Sequence, residues 1–264
     1  MKWDGMPGTL RKVIRGRWDS PFMLRLKRFV DLTSDEVDAL QKLIESEAIV
    51  PKRRDIVVEG YPYNKLCFIK DGIAARCRVL RNGKRQIVNV LVPGDVIGLC
   101  GSFVDRSAFS VIALTEMTLE VCSYDAFVDA CNRRPKFGLA LAWLAVQETM
   151  LASEHIVDIG RRTPIERLAH FLLELHSRLR AVGRAAEAAF DLPISQEVMS
   201  DTLGLSVPHL NRTLASLRDD GLIILEDGHV RFTDLKALER LAHFQPATLT
   251  RIPAPAPLPR EMIA

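Results

Sequence analysis

Residues 203–223 read LGLSVPHLNRTLASLRDDGLI, and the spacing inside that stretch decides the C-terminal half of the fold. Gly204-Leu205 supplies a turn, glycine for backbone freedom and leucine as an apolar plug between two helices. Ser206 caps the second helix, and Pro208 is tolerated because first-turn amides have no intrahelical acceptor. Leu210, Leu214 and Leu217 recur at i, i+4 and i+7 and define its buried face. Upstream, Ser195 caps a shorter helix in which Val198, Met199 and Leu203 turn inward. Downstream, Leu222 to Leu225, then Asp227-Gly228, then Val230-Arg231-Phe232 read as a hairpin wing beside the helices. The order of cap, helix, glycine turn, capped helix and hairpin predicts a winged helix-turn-helix.

That assignment forces Val207, Pro208, His209, Asn211, Arg212 and Ser216 to the N-terminal end or outer side of the second helix. A recognition helix enters the major groove with such residues directed at base edges. Arg212 can bridge guanine O6 and N7, Asn211 can pair with adenine or hold a phosphate, and His209 can donate to a base or a phosphate. Arg231 on the wing is a candidate phosphate contact, and the caps Ser195 and Ser206 mark helix N-termini suited to the backbone. Exposed Arg, Asn and His are also what any solvated helix face carries. Residues 161–240 hold 11 Lys/Arg against 12 Asp/Glu, so phosphate binding has to rest on a local patch, helix N-termini and backbone amides.

Working outward, Thr163-Pro164 opens a helix with an N-cap and an early proline, and Ile165, Leu168, Ala169, Leu172 and Leu175 repeat at helical spacing. Before it, Lys136 to about Asp158 has no proline and carries Leu141, Leu144, Ala145, Val146, Met150, Leu151 and Ile156. A helix apolar over so wide an arc should bury one side on its own domain and another on a partner, which predicts dimerisation along it. From Pro51 to Tyr124 short strand-like runs alternate with turns, and Gly60, Gly72, Gly83 and Gly94 recur every 11 or 12 residues. Asp71-Gly72 and Asn82-Gly83 read as type I′ hairpin turns around a strand at Ile73–Leu80, with Gln86–Val92 as the next and Pro93-Gly94-Asp95 as a third turn. Thr33, Ser34 and Asp35 start a short helix with Val37, Leu40, Leu43 and Ile44 on one face.

The 264 residues suffice for two modest domains. No apolar run reaches the roughly 18–20 residues that span a bilayer, and no signal core opens the chain, so a cytoplasmic location without membrane contact is expected. Arg11, Lys12, Arg15 and Arg17 make the first residues a basic mobile tail, although a targeting peptide has similar composition. The five cysteines at 67, 77, 100, 122 and 131 form no CxxC and fit no zinc module, so structural thiols and no metal are expected. A net charge of +3 does not by itself argue for nucleic acid. No GxSxG, nucleotide-cradling glycine loop or paired acid/base constellation is present, so the chain does not read as an enzyme.

The whole order resembles the Crp/Fnr family of bacterial transcription regulators over roughly residues 22–244. The resemblance is carried by PGDVIG at 93–98, RSA at 106–108, RRTPIERLAHFLLEL at 161–175 and, most specifically, the segment at 203–223. It implies an α+β protein: a cyclic-nucleotide-binding-type β-roll, or jelly roll, over 22–135; a dimerisation helix over 136–160; and a winged helix-turn-helix over 161–244. Flanking these are the tail at 1–21 and a mobile Pro/Ala-rich tail at 245–264. Double-stranded DNA with a palindromic site is the implied partner, with the homodimer, and RNA polymerase and a small-molecule effector are candidates. The resemblance also places an effector site at Arg106, Ser107, Leu99 and Met150. Cyclic-AMP-binding members have a ribose-holding Glu where this chain has Leu99, and an adenine-contacting Thr-Ser pair where it has Met150-Leu151, which argues against a cyclic nucleotide. Oxygen-sensing members hold an iron–sulfur cluster with cysteines near the N-terminus, and here none precedes Cys67, which argues against the cluster. In the recognition helix Pro208 stands where many members have a cytosine-reading Glu, while Arg212 keeps the family's Arg. A ligand-binding signalling module whose C-terminal domain contacts protein is the alternative.

Overall fold

The computed structural model describes residues 9–11, 20–99 and 104–245. Cys100 and the tail beyond Gln245 therefore lie outside the described residues, as do Lys12, Arg15 and Arg17. In chain order, β1 (Thr9–Arg11), α1 (Pro21–Leu26) and α2 (Ser34–Leu43) lead into β2 (Ser46–Val50), β3 (Asp55–Val57) and β4 (Lys65–Asp71). Then follow β5 (Ala74–Val79), β6 (Arg85–Leu91), β7 (Val96–Ile97), β8 (Ser110–Ala113) and β9 (Met117–Ser123). Helices α3 (Tyr124–Arg133), α4 (Pro135–Gly160) and α5 (Pro164–Ala181) connect to β10 (Ala189–Asp191). The C-terminal elements are α6 (Gln196–Leu203), α7 (Val207–Asp219), β11 (Ile223–Glu226), β12 (His229–Phe232) and α8 (Leu235–Leu241).

Two sheets form the β-roll, one ordered β1-β2-β9-β4-β7 and the other β3-β8-β5-β6. Alternate residues of both meet in one core that includes Val50, Ile69, Leu91, Ile97, Val111, Leu119 and Val121. The outer side of the first sheet packs Phe68, Val96 and Cys122 against Phe22, Phe137 and Trp143 from α1 and α4. The outer side of the second sheet packs Cys77, Ile87 and Val90 against Leu172, Met199 and Leu203. That continuous core joins the β-roll to the C-terminal half.

Two turn assignments need correction. Asp71-Gly72 does not close a hairpin, because β4 and β5 belong to different sheets. Glycine is required there at φ +89°, where a Cβ would lie 2.4 Å from the Glu116 carbonyl oxygen. At Asn82-Gly83 the hairpin is real, but only Gly83 has positive φ, so the turn is not type I′. Leu80 and Lys84 close it through a 2.8 Å bond from Leu80 N–H, giving a three-residue loop with glycine in the left-handed position. Within the stretch expected to be a basic tail, Thr9–Arg11 pairs antiparallel with Glu47–Ile49 as an edge strand.

Helix α2 starts at a capping box, Thr33 with Glu36, as the Thr33 signal implied. Helix α4 runs 26 residues, about 39 Å at 1.5 Å per residue. It buries Phe137, Ala140, Trp143, Leu144 and Gln147 on the β-roll, and exposes Leu139, Val146, Met150, Ile156 and Val157. Among the described residues no helix is long and apolar enough to cross a membrane, and no group of His, Cys, Asp and Glu is arranged to hold a metal.

Candidate nucleic-acid interface

The helix-turn-helix forms as its local chemistry dictates. The Ser195 hydroxyl accepts from the Val198 amide, and Val198, Met199 and Leu203 are buried. Gly204 adopts φ +65°, the left-handed conformation that ends α6 without a Cβ penalty. Ser206 then caps α7 by accepting from the His209 amide at 3.4 Å. Leu210, Leu214 and Leu217 are completely or almost completely buried, and Thr213, which the apolar spacing did not flag, joins them while its hydroxyl donates to the His209 carbonyl at 2.9 Å.

The opposite side of α7 presents Val207, Pro208, Asn211, Arg212 and Ser216 to solvent, with His209 half-buried at their edge. Among the described residues no protein partner holds the side chains of Asn211 and Arg212, which leaves their donors free for a ligand. Ser216 is different: its hydroxyl donates to the Arg212 carbonyl at 3.1 Å and is satisfied within the helix. Ser195 and Ser206 both sit exposed at helix N-termini, where amides and helix dipole favour a phosphate.

The wing is a tight hairpin with both central residues at positive φ, Asp227 at 48° and Gly228 at 78°, as a type I′ turn requires. Val230 and Phe232 enter the core, so the alternating Arg231 faces solvent on the side of the sheet away from α7. Arg231 is therefore not brought together with the α7 residues, and the wing tip itself offers the acidic pair Glu226-Asp227. The added strand β10 completes this sheet beside β12.

Two arginines that a pattern search reads as surface instead fix the position of the helix-turn-helix. Arg167 donates to the Leu203 carbonyl at 2.5 Å, and to the Ile159 and Arg162 carbonyls at 3.1 and 3.2 Å, clamping the end of α6 to the α4–α5 elbow. Arg178, buried on α5, pairs with Asp95 of the Pro93-Gly94-Asp95 turn, and Arg25 of α1 pairs with the same carboxylate. Burial opposes the charge on Asp95, but the Arg178 and Arg25 guanidiniums together hold its carboxyl below the usual carboxylate range.

The four residues assigned to an effector do not converge. Arg106 donates to the Gly60 carbonyl at 2.9 Å, and the Ser107 hydroxyl donates to the Phe109 carbonyl at 2.7 Å within its own loop. Leu99 is buried among the residues that join α4 to the roll, and the space between it, Leu144, Glu148 and Leu151 is only about 10 Å³. Met150 points away from it on the exposed stripe of α4 and lines a separate cavity of about 500 Å³ between α4 and α5. Among the described residues no group of cysteines is arranged to hold a metal; burial pushes the Cys67 and Cys122 thiols up to about 12 and raises those of Cys77 and Cys131.

Comparison with known proteins fits this geometry. Residues 166–241 match a Crp-like helix-turn-helix domain, and residues 49–134 match a cyclic nucleotide-binding domain. The nitrogen fixation regulation protein FixK of Bradyrhizobium diazoefficiens is 31% identical over 174 residues, 66% of this chain and 72% of that protein. The transcriptional activator protein FnrL of Cereibacter sphaeroides is 30% identical over 188 residues, 69% of this chain and 75% of FnrL. The chain belongs to the Crp/Fnr family. Among solved structures, FixK2 from Bradyrhizobium japonicum superimposes with a TM-score of 0.68 at 25% identity, covering 74% of this chain and 96% of FixK2. A CRP-family regulator from Thermus thermophilus shares the fold at a TM-score of 0.60 and 20% identity, over 74% of this chain and 96% of its own. The protein is thus a DNA-binding transcription regulator of the Crp/Fnr type, an α+β chain with a β-roll, a long helix and a C-terminal helix-turn-helix.

Proposed function

We propose that this Crp/Fnr regulator binds a palindromic duplex site as a homodimer joined along α4, reading each half-site with α7. The single observation that carries the reading is the outer face of α7, where Asn211 and Arg212 are exposed with unpartnered donors above a fully buried leucine face. Exposure of Leu139, Val146, Met150 and Val157 along α4 supports the dimer, because they follow one another at intervals of seven, four and seven and so fall on one side of the helix. Arg212 reads guanine, His209 and Asn211 contact a base or phosphate, and Ser195 and Ser206 hold phosphates at helix N-termini. Pro208 has no acceptor for cytosine N4, so the half-site departs from one read by a Glu at that position.

The dispersal of Arg106, Ser107, Leu99 and Met150 supports a roll that does not take a cyclic nucleotide, and the buried, raised thiols support one without an iron–sulfur cluster. An effector of another class, or control by abundance, then sets activity. Relatives named as transcriptional activators support RNA polymerase as a partner, and no reaction is assigned to the protein. Selection of bound duplexes from a randomised pool tests the reading. The expected product is a palindrome with half-sites about one helical turn apart. Absence of any enriched sequence, both with purified protein alone and with small-molecule extract added, would refute it.

A further inference from the structure

The DNA-binding half has no basic excess, whereas the β5–β6 hairpin of the sensor half has nothing else: residues 72–94 contain Arg76, Arg78, Arg81, Lys84 and Arg85 and no acidic residue. This hairpin lies directly on α6. Gln86 donates to the Asp201 and Thr202 carbonyls at 2.9 and 3.3 Å. Arg85 pairs with Asp201 at 2.6 Å and reaches Glu197, one turn nearer the α6 N-terminus, at 3.7 Å. Passing from Gln86 back to Arg85, the strand therefore advances along α6 from its C-terminal end toward Ser195. The loop at Arg81–Lys84 continues in that direction, and every residue of it is exposed. Neither Arg81 nor Lys84 has an ionic partner among the described residues, while Arg76 and Arg78 are engaged by Glu148 and Glu59.

From this placement we infer that Arg81 and Lys84 of the sensor domain grip the DNA backbone just outside each half-site. The inference rests on the DNA-binding reading above and extends the site to a second element. In a helix-turn-helix the first helix crosses the sugar–phosphate backbone, so a loop running past the start of α6 lies beside the flanking phosphates. The wing carries Glu226 and Asp227 at its tip, a charge that repels phosphates there. The contact is independent of sequence, and its signature is dependence on duplex length and salt.

The test compares two duplexes carrying the selected palindrome, one ending at the outer edges of the half-sites and one extended by about one helical turn (~10 bp) on each side. Affinities of the full-length protein and of the Arg81→Gln/Lys84→Gln double variant are measured over a salt series. Arg85 is kept, because it holds Asp201. Wild-type protein should bind the long duplex at least about tenfold more tightly, and the double variant should lose that preference while keeping its affinity for the short one. With four side chains per dimer, the salt slope on the long duplex should shrink by about 3 to 4, at roughly 0.9 per phosphate. A wild-type protein indifferent to length, or a variant weakened equally on both duplexes, overturns the inference. So does unchanged DNA binding by the variant combined with lost transcription by RNA polymerase, which assigns the loop to a protein partner. Wild-type binding of neither duplex would instead sink the DNA-binding reading, and this inference with it.

Discussion

Replacing Asp95 with Asn tests the joint between sensor and DNA-binding halves. The carboxylate is 6% exposed and accepts from Arg25, from Arg178 and from the Val92 amide at 2.8 Å. Asn keeps the shape and removes the charge, leaving two guanidiniums that are 10% and 6% exposed. Arg178 retains Glu174 at 2.5 Å, but Arg25 keeps only the Gly94 carbonyl at 3.3 Å and the Trp143 ring at 5.8 Å from its centroid. Breaking a buried ion pair by removing one partner costs about 3–5 kcal/mol, and the surviving Glu174 contact places this case near the lower end, about 3 kcal/mol. Urea unfolding at neutral pH should show that loss as a shifted midpoint with an unchanged slope. Because the arginines hold Asp95 below its ordinary value of 3.8, its contribution is complete above that pH and is lost as the pH falls below it. The difference between wild type and variant should therefore persist from neutral pH down to about 4 and shrink further down. A loss under about 1 kcal/mol would mean that desolvation cancels the attraction, and the triad would not be what fixes the two halves.

Three further outcomes follow from the same contacts. Arg212→Ala should weaken specific binding by about 1–3 kcal/mol and relax selection at one base pair, leaving non-specific binding nearly unchanged; an equal loss on random DNA would make Arg212 a phosphate contact. Val146→Glu, on the 51% exposed stripe of α4, should leave the fold intact and shift light-scattering mass from dimer to monomer; a variant that stays dimeric would place the interface elsewhere. Cys67, Cys77 and Cys122, fully buried, should resist a thiol reagent until the protein unfolds, before and after mild peroxide; rapid labelling of any of them would reopen redox sensing.

What the sequence disclosed depended on how local the cause was. Ser195, Gly204, Ser206 and the leucines of α7 act within one or two helical turns, so caps, left-handed glycine and apolar period located the helix-turn-helix nearly to the residue. The turn dipeptides were half-informative. Asp71-Gly72 announces a glycine-requiring backbone, yet the requirement comes from Glu116 on another strand, and nothing local says that the chain is changing sheets. Three-residue strands such as β1 and β10 carry too few positions for a period of two. Charged residues were the least legible, because Arg25, Asp95 and Arg178 read singly as surface and meet only across 70 and 83 residues of chain. The residues assigned to an effector stay apart for a geometric reason: positions counted along α4 by family spacing land on Met150, whereas the helix turns Leu144, Glu148 and Leu151 toward Leu99. The same phase leaves Met150 exposed like Val146, at the mouth of the cavity between α4 and α5. Beside the apolar contacts of Phe137, Trp143 and Leu144, the Arg76–Glu148 pair ties α4 to the roll, and the Asp95–Arg178 pair does the same for α5.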